Sequence, residues 1–208
     1  MVFEALELIR SELEAYIKPL ANLTTVKLGN IGAVAGTQAN AVMIGLVNIE
    51  EESALKNTSP YQRNAITGNF DIQHPPVFMN LYVLISANYS GIDDYETAVK
   101  MLSRIVQCFQ RKNQFTIANT PSATSLNDSG PAAPAIDPRA MLMRVVVDFY
   151  SLSFEKLNQL WGTLGGKQVP SVLYKIRIVE EQAEGQIGAG PPIQAIEGRI
   201  KSINATPN

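Results

Sequence analysis

Apolar residues near the start of the chain recur every three or four places. Leu6, Ile9, Leu13 and then Tyr16 or Ile17 carry the rhythm, with Glu4, Glu7, Arg10, Glu12 and Glu14 between them. That period fits one stripe of an α-helix and predicts a helix over 2–18. Pro19 ends it, because proline has no amide hydrogen to give to the helix. The rhythm then changes. "NLTTVKLGNI" predicts a short strand near 23–28. "AVMIGLVNIEEE" predicts a strand over 42–50, apolar on both faces and therefore interior to a sheet. The polar stretch from Glu50 to about Gln73 reads as a long connection. "PPVFMNLYVLISANY" predicts a second two-faced strand over 77–88, with two prolines at its entry.

The helical period returns over 93–111. Asp93 suits the N-cap, and Glu96 sits three residues on, as in a capping box. Ile92, Tyr95, Val99, Leu102, Val106 and Phe109 run down one stripe, which Ala98, Met101, Ile105 and Cys108 widen. Cys108 thus reads as a small buried hydrophobe and not as a reactive thiol. Residues 118–139 hold Pro121, Pro131, Pro134 and Pro138 and almost no large apolar side chain, so no helix or strand is expected across them. "AMLMRVVVDFYSL" predicts a strand over 141–151. "SFEKLNQLWGTLGG" predicts a helix with Phe154, Leu157, Leu160, Trp161 and Leu164 on one side. "SVLYKIRIVEEQ" alternates cleanly. Val172, Tyr174, Ile176 and Ile178 face one way, while Lys175 and Arg177 face the other, which is wet or meets a partner.

The tail opens with Gly185, Gly188, Gly190, Pro191 and Pro192, a flexible hinge by composition. Ile187 lies within it. Ile193, Ile196, Ile200 and Ile203 follow at 3-4-3 spacing, which suits a short helix, and alternation there is too poor to predict a strand. Apolar residues beyond such a hinge fit an arm that docks elsewhere. The expected organisation is one domain over 1–184 and an arm over 185–208. The fold class is α+β, a mainly antiparallel sheet of about four or five strands covered by three helices.

Composition narrows the chemistry. The chain has 208 residues, with 46% apolar and 17% charged, enough for a sizeable core. Its net charge of −2 gives no reason to expect nucleic acid or an anionic membrane as partner. One cysteine and one histidine, His74, nearly exclude a Cys/His zinc site. The acidic N-terminus lacks the basic start and apolar run of a signal peptide, and no stretch approaches the roughly 20 apolar residues of a membrane span. The expectation is synthesis and assembly in the cytoplasm.

No catalytic, cofactor or metal site emerges. "GTLGGKQ" resembles a phosphate loop only superficially. The spacing between Gly162 and Gly166 is one residue short, Gln168 stands where a hydroxyl is needed, and the segment closes a helix instead of opening one. Glycine past a last helical turn explains it better. His74 has no nucleophile motif to serve. Asp93 and Asp94 fit a helix cap, and the runs Glu50–Glu52 and Glu180–Glu181 fit solvated strand ends.

The stretch "LNQLWGTLGGKQVPSVLYKIRIVEE" carries a resemblance. Leu157, Asn158, Leu160, Trp161, Pro170, Ser171, Val172, Tyr174, Lys175 and Arg177 are similar to the signature of the cap, or tail-terminator, proteins of extracellular contractile injection systems. "PPVFMNLYVLISANYS" and the N-terminal helix are also similar. The resemblance covers most of 1–182, with Trp161, Pro170 and Tyr174 as its structural signature. It implies a ring, typically a homohexamer, at the end of the particle distal to the baseplate. Such a ring binds the last layers of inner tube protein and sheath protein and stops their growth. Lys175, Arg177, Ile187, Ile193, Ile196 and Ile200 are the expected interface residues. The alternatives are a small cytosolic enzyme without a signature and a baseplate or tube-adaptor protein of the same kind of particle.

Overall fold

The computed structural model describes residues 2–19, 25–31, 40–52, 61–63, 69–73, 78–89, 94–120, 122, 143–165, 168–180 and 186–190. The strands are β1 (Thr25–Leu28), β2 (Ala41–Glu51), β3 (Tyr61–Arg63), β4 (Phe70–Gln73), β5 (Phe78–Asn88), β6 (Gln114–Phe115), β7 (Met143–Phe149), β8 (Ser171–Glu180) and β9 (Gln186–Gly190). The helices are α1 (Val2–Ile17), α2 (Asp94–Arg111) and α3 (Phe154–Thr163).

The chain divides into two compact units. The first spans Met1–Thr58 and Pro76–Ala183. It holds a six-stranded sheet in the order β1-β2-β5-β8-β7-β6. β1 runs parallel to β2, and every other pair is antiparallel. The second unit spans Ser59–Pro75 and Glu184–Asn208. It holds the antiparallel sheet β3-β4-β9, with a register shift between Ile72 and Gln73.

The expected class is therefore present, an α+β fold with three helices and a mainly antiparallel sheet. The strands are more numerous than expected. β6 is two residues long, too short for any period to show. β3 and β4 interrupt the polar stretch read as one long connection. β9 falls on the glycine-rich run read as a hinge.

Strand alternation divides the core of the first unit. Val42, Ile44, Leu81, Val83, Ile85, Val145, Val147, Tyr174, Ile176 and Ile178 turn to one face, against Leu8, Ile9 and Leu13 of α1 and Met101, Ile105 and Cys108 of α2. Ala41, Met43, Leu84 and Leu173 turn to the other, where Trp161 of α3 and Ile31 complete a smaller cluster. β5 and β8 sit in the middle of the sheet and are buried on both faces along most of β5, as a two-faced apolar run requires.

Three expectations change. β2 is interior, between β1 and β5, but only its first half is buried, and Leu46, Val47 and Ile49 are exposed. The buried row of α2 is Ala98, Met101, Ile105, Cys108 and Phe109, and Tyr95 and Val99 are exposed. Phe109 is common to this row and the expected stripe and Leu102 packs against the core, so α2 is buried chiefly along the row expected to widen the stripe. On α3 only Trp161 is buried, and Phe154 is 90% exposed. Ile92 and Asp93 lie outside the described residues, as does most of 118–139. Within that last stretch, Thr120 is buried and Ser122 Oγ lies 3.4 Å from Glu12 Oε2 of α1.

Candidate functional site

The corner between α3 and β8 is built by local rules. Ser153 caps α3, its hydroxyl accepting from the Lys156 amide at 3.4 Å. The helix stops at Leu164, whose amide donates to Leu160 O at 3.1 Å. Gly165 follows with φ +99°, a left-handed conformation that a glycine adopts without strain. The Pro170 carbonyl then accepts from the Ala87 amide at 2.9 Å, which ties the start of β8 to the end of β5. Trp161 fills the pocket below, against one face of the sheet. Tyr174 lies on the opposite face, edge-on to Phe109 at 4.9 Å and to Phe149 at 5.7 Å. The signature residues therefore hold two separate layers to one strand. Gly166 and Lys167 lie outside the described residues.

Lys175 and Arg177 project from β8 into a belt of paired charges. Arg177 Nε and Nη2 donate to Asp148 Oδ2 at 3.0 and 2.6 Å. Lys175 Nζ lies 3.8 Å from Glu52 Oε2, which also accepts from Asn80 Nδ2 at 2.9 Å. Glu50 accepts from Tyr82 Oη at 3.0 Å and from Asn48 Nδ2 at 3.1 Å. Burial and the Glu50 bond raise the Tyr82 phenol above its usual pKa of 10.0. The belt is a structured polar surface. Within it Arg177 pairs with Asp148 and Lys175 with Glu52, while Glu50 is bonded by the neutral Tyr82 and Asn48.

Beside this belt lies the part of β2 that extends past β1. β1 pairs with β2 only as far as Leu28↔Ile44 and ends in a bond from the Gly29 amide to Ile44 O at 3.0 Å. Beyond it, among the described residues, no strand pairs with Gly45–Glu51 on that side. A groove of about 500 Å³ runs along this edge, lined by Leu6, Leu28, Ile31, Leu46, Val47 and Leu160 among others. Gly45 forms its floor, where a Cβ would meet Ile31 Cδ1 and Cγ1 at 2.8 Å. Sequence reading missed this edge because two-faced hydrophobicity looks the same in a covered strand and in one whose neighbour stops early. The signal available was the brevity of β1 beside the length of β2.

Lys175 and Arg177 share the charge belt of the first unit. Ile187 lies in β9 of the second unit, and Ile193, Ile196 and Ile200 lie outside the described residues. His74 lies outside them too. Among the described residues, no group of three His, Cys, Asp or Glu side chains could hold a metal. Cys108 is buried, and desolvation pushes its thiol from an ordinary 9.0 up to about 12, so the nucleophilic thiolate is suppressed. Burial raises the Tyr174 phenol as well. No helix among the described residues is long and apolar enough to cross a membrane.

The sequence matches the family described as Pvc16 N-terminal domain over residues 4–195. No curated protein matches the chain. Among solved structures, it is similar to the PVC sheath/tube terminator of an extracellular contractile injection system in its extended state, with TM-score 0.57 and 14% identity over 97% of this chain and 64% of that one. It is also similar to the tube-terminating cap of the anti-feeding prophage, with TM-score 0.56 and 13% identity over 91% of this chain and 57% of that one. The chain thus spans less than two thirds of the length of either structure. At these identities the likeness is one of fold.

Proposed function

We propose that this chain, which belongs to the Pvc16 N-terminal domain family, is a structural cap that ends the growth of tube and sheath in a contractile injection particle. One observation carries the reading: the family match takes in nearly the whole chain, and two solved structures similar to it are terminators, one of sheath and tube and one of tube. The surface fits a part that works by shape and contact. Lys175 and Arg177 are held in ion pairs on an ordered sheet surface.

A cap of this kind acts as a closed ring, here a homohexamer, seated on the last layer of tube protein and meeting the last layer of sheath protein. A closed ring needs a heterologous interface, two different patches that meet around the circle. Lys175 and Arg177 belong to one such patch, with the charge belt as its polar rim. The segment after Gly190, with Ile193, Ile196 and Ile200, supplies the other as an arm leaving the body of the chain. Ile187, in β9, belongs to the same patch. Assembly takes place in the cytoplasm, without a cofactor, nucleic acid or membrane.

Gel filtration with light scattering, in the presence of tube and sheath protein, tests the ring. A ring-sized species is expected, and a strict monomer under those conditions would count against the cap.

A further inference from the structure

α3 is seated on the sheet far more lightly than the other two helices. α1 buries Ala5, Leu8, Ile9, Leu13 and Ile17, and α2 buries Ala98, Met101, Ile105, Cys108 and Phe109. α3 buries Trp161 alone, with Leu157, Leu160 and Leu164 half-buried around it. The fit beneath the helix is loose. A cavity of about 230 Å³ is lined by Leu160 and Lys156 together with Tyr82 and Leu173. Another of about 240 Å³ is lined by Leu157 together with Leu84 and Leu173. Protein interiors are close-packed, so two gaps along one short helix forfeit many dispersion contacts. The buried Trp161 indole N–H has no hydrogen-bond partner among the described residues, which weakens the seat further. Among the described residues no ion pair holds Glu155 or Lys156.

The helix is also weak in itself. It has ten residues, too few for a helix to hold without support from packing. Gly162 stands in its last turn, where a Cβ would meet nothing within 4 Å. Packing does not require glycine there, so its effect is to loosen the helix. The chain is fixed to the sheet on either side of this stretch. The Tyr150 amide donates to Leu173 O at 2.9 Å, and β8 pairs with β5 from Ser171 onward. Between these points Ser151–Ser153 leads in without regular structure, and Gly165, with φ +99°, follows the last turn. We propose that α3 is a lid, which opens as one unit between these two ends while the sheet, α1 and α2 stay folded, and that Trp161 is its latch. Local opening starts where few buried apolar contacts must be given up. The lid gives the chain two surfaces. Closed, α3 borders the charge belt through Lys156 and Leu160. Open, it bares an apolar strip of Met43, Leu84 and Leu173 beside that belt.

Amide hydrogen exchange of the full-length chain, followed residue by residue in rising but sub-denaturing urea, tests the lid. The amides of Leu157–Leu164 are expected to exchange well ahead of those of β5 and β8. Their rates should depend only weakly on urea, because opening one short helix exposes little surface. The amides of α1 and α2 should keep the protection of the sheet. Gly162→Ala should slow exchange at Leu157–Leu164 about two- to fivefold. Trp161→Phe should speed it, and the unsubstituted chain and Gly162→Ala decide the matter if that variant does not fold. Three results would overturn the proposal: α3 amides that share the protection and urea dependence of β5, opening of α1 or α2 together with α3, or α3 rates unchanged by Gly162→Ala. Unchanged α3 rates in a folded Trp161→Phe chain would remove Trp161 as the latch. None of these readouts needs tube or sheath, so the lid can fail while the capping role stands, and the reverse.

Discussion

Trp161 is the residue on which the signature corner depends. It is 5% exposed and closes the smaller core cluster against Ile31, Met43, Leu84 and Leu173. Trp161→Ala should cost about 3–5 kcal/mol, read by circular dichroism in urea because the variant loses the only fluorescent indole. Tyr174 presents the opposite case. Its ring packs between Phe109 and Phe149, yet its hydroxyl has no hydrogen-bond partner among the described residues. Tyr174→Phe should therefore leave stability unchanged or raise it, and a loss above about 1 kcal/mol would show that the hydroxyl is bonded. The Cys108 thiol makes a pH prediction. Its pKa is about 12 in the fold against 9.0 ordinarily. The unfolded chain gives up that proton first, so this contribution to stability is full below pH 9 and is lost as pH rises towards 12. Cys108→Ala should flatten the decline of stability over that window, and an unchanged slope would contradict the burial argument. The role of Trp161 was legible in the sequence because a lone tryptophan on a helical stripe near a glycine stop has few other uses. The charge pairs were not. Lys175 and Arg177 could be placed on one face by alternation, but Glu52 and Asp148 come from distant strands and meet them only through the sheet order.

At the scale of elements, the long periodic segments were legible and the short ones were not. α1, β5, α2 and β8 follow their period for long enough to fix type and place. β6 has only Gln114 and Phe115 to show, β3 and β4 are short, and their sheet is completed by β9 from a distant part of the chain. The orientation of α2 was legible only in part. Its stripe is wide, and period alone cannot say which row meets the sheet. Ile105→Ala should cost about 2–5 kcal/mol, whereas Tyr95→Ala on the outward row should stay within about 0.5 kcal/mol. Equal costs in urea titrations would put the helix in the wrong rotation. β2 shows the same ambiguity along its length, since its second half is as apolar as its first but has no β1 beside it. Gly45 marks the point where the two halves divide. Gly45→Ala would push against Ile31 and should destabilise by about 1–3 kcal/mol, measured in the same way.

At the scale of the whole molecule, the chain has the makings of an assembly part. The six-stranded sheet is covered on one face by α1 and α2 and in part on the other by α3, beside a belt of charged and polar side chains. Nothing in a single sequence gives the symmetry of a ring, because that depends on how two surfaces of separate copies meet. The family resemblance was legible because its signature is a packing motif, and the fold explains the motif: Trp161, Pro170 and Tyr174 fasten a helix, a corner and a strand together. The central claim concerns length. Electron microscopy of particles from cells with and without the gene for this chain, scored for tube and sheath length, tests it most directly. The account predicts uniform particles with the chain and overlong, uneven tubes and sheaths without it. Uniform tubes that lack only their baseplate in its absence would contradict it.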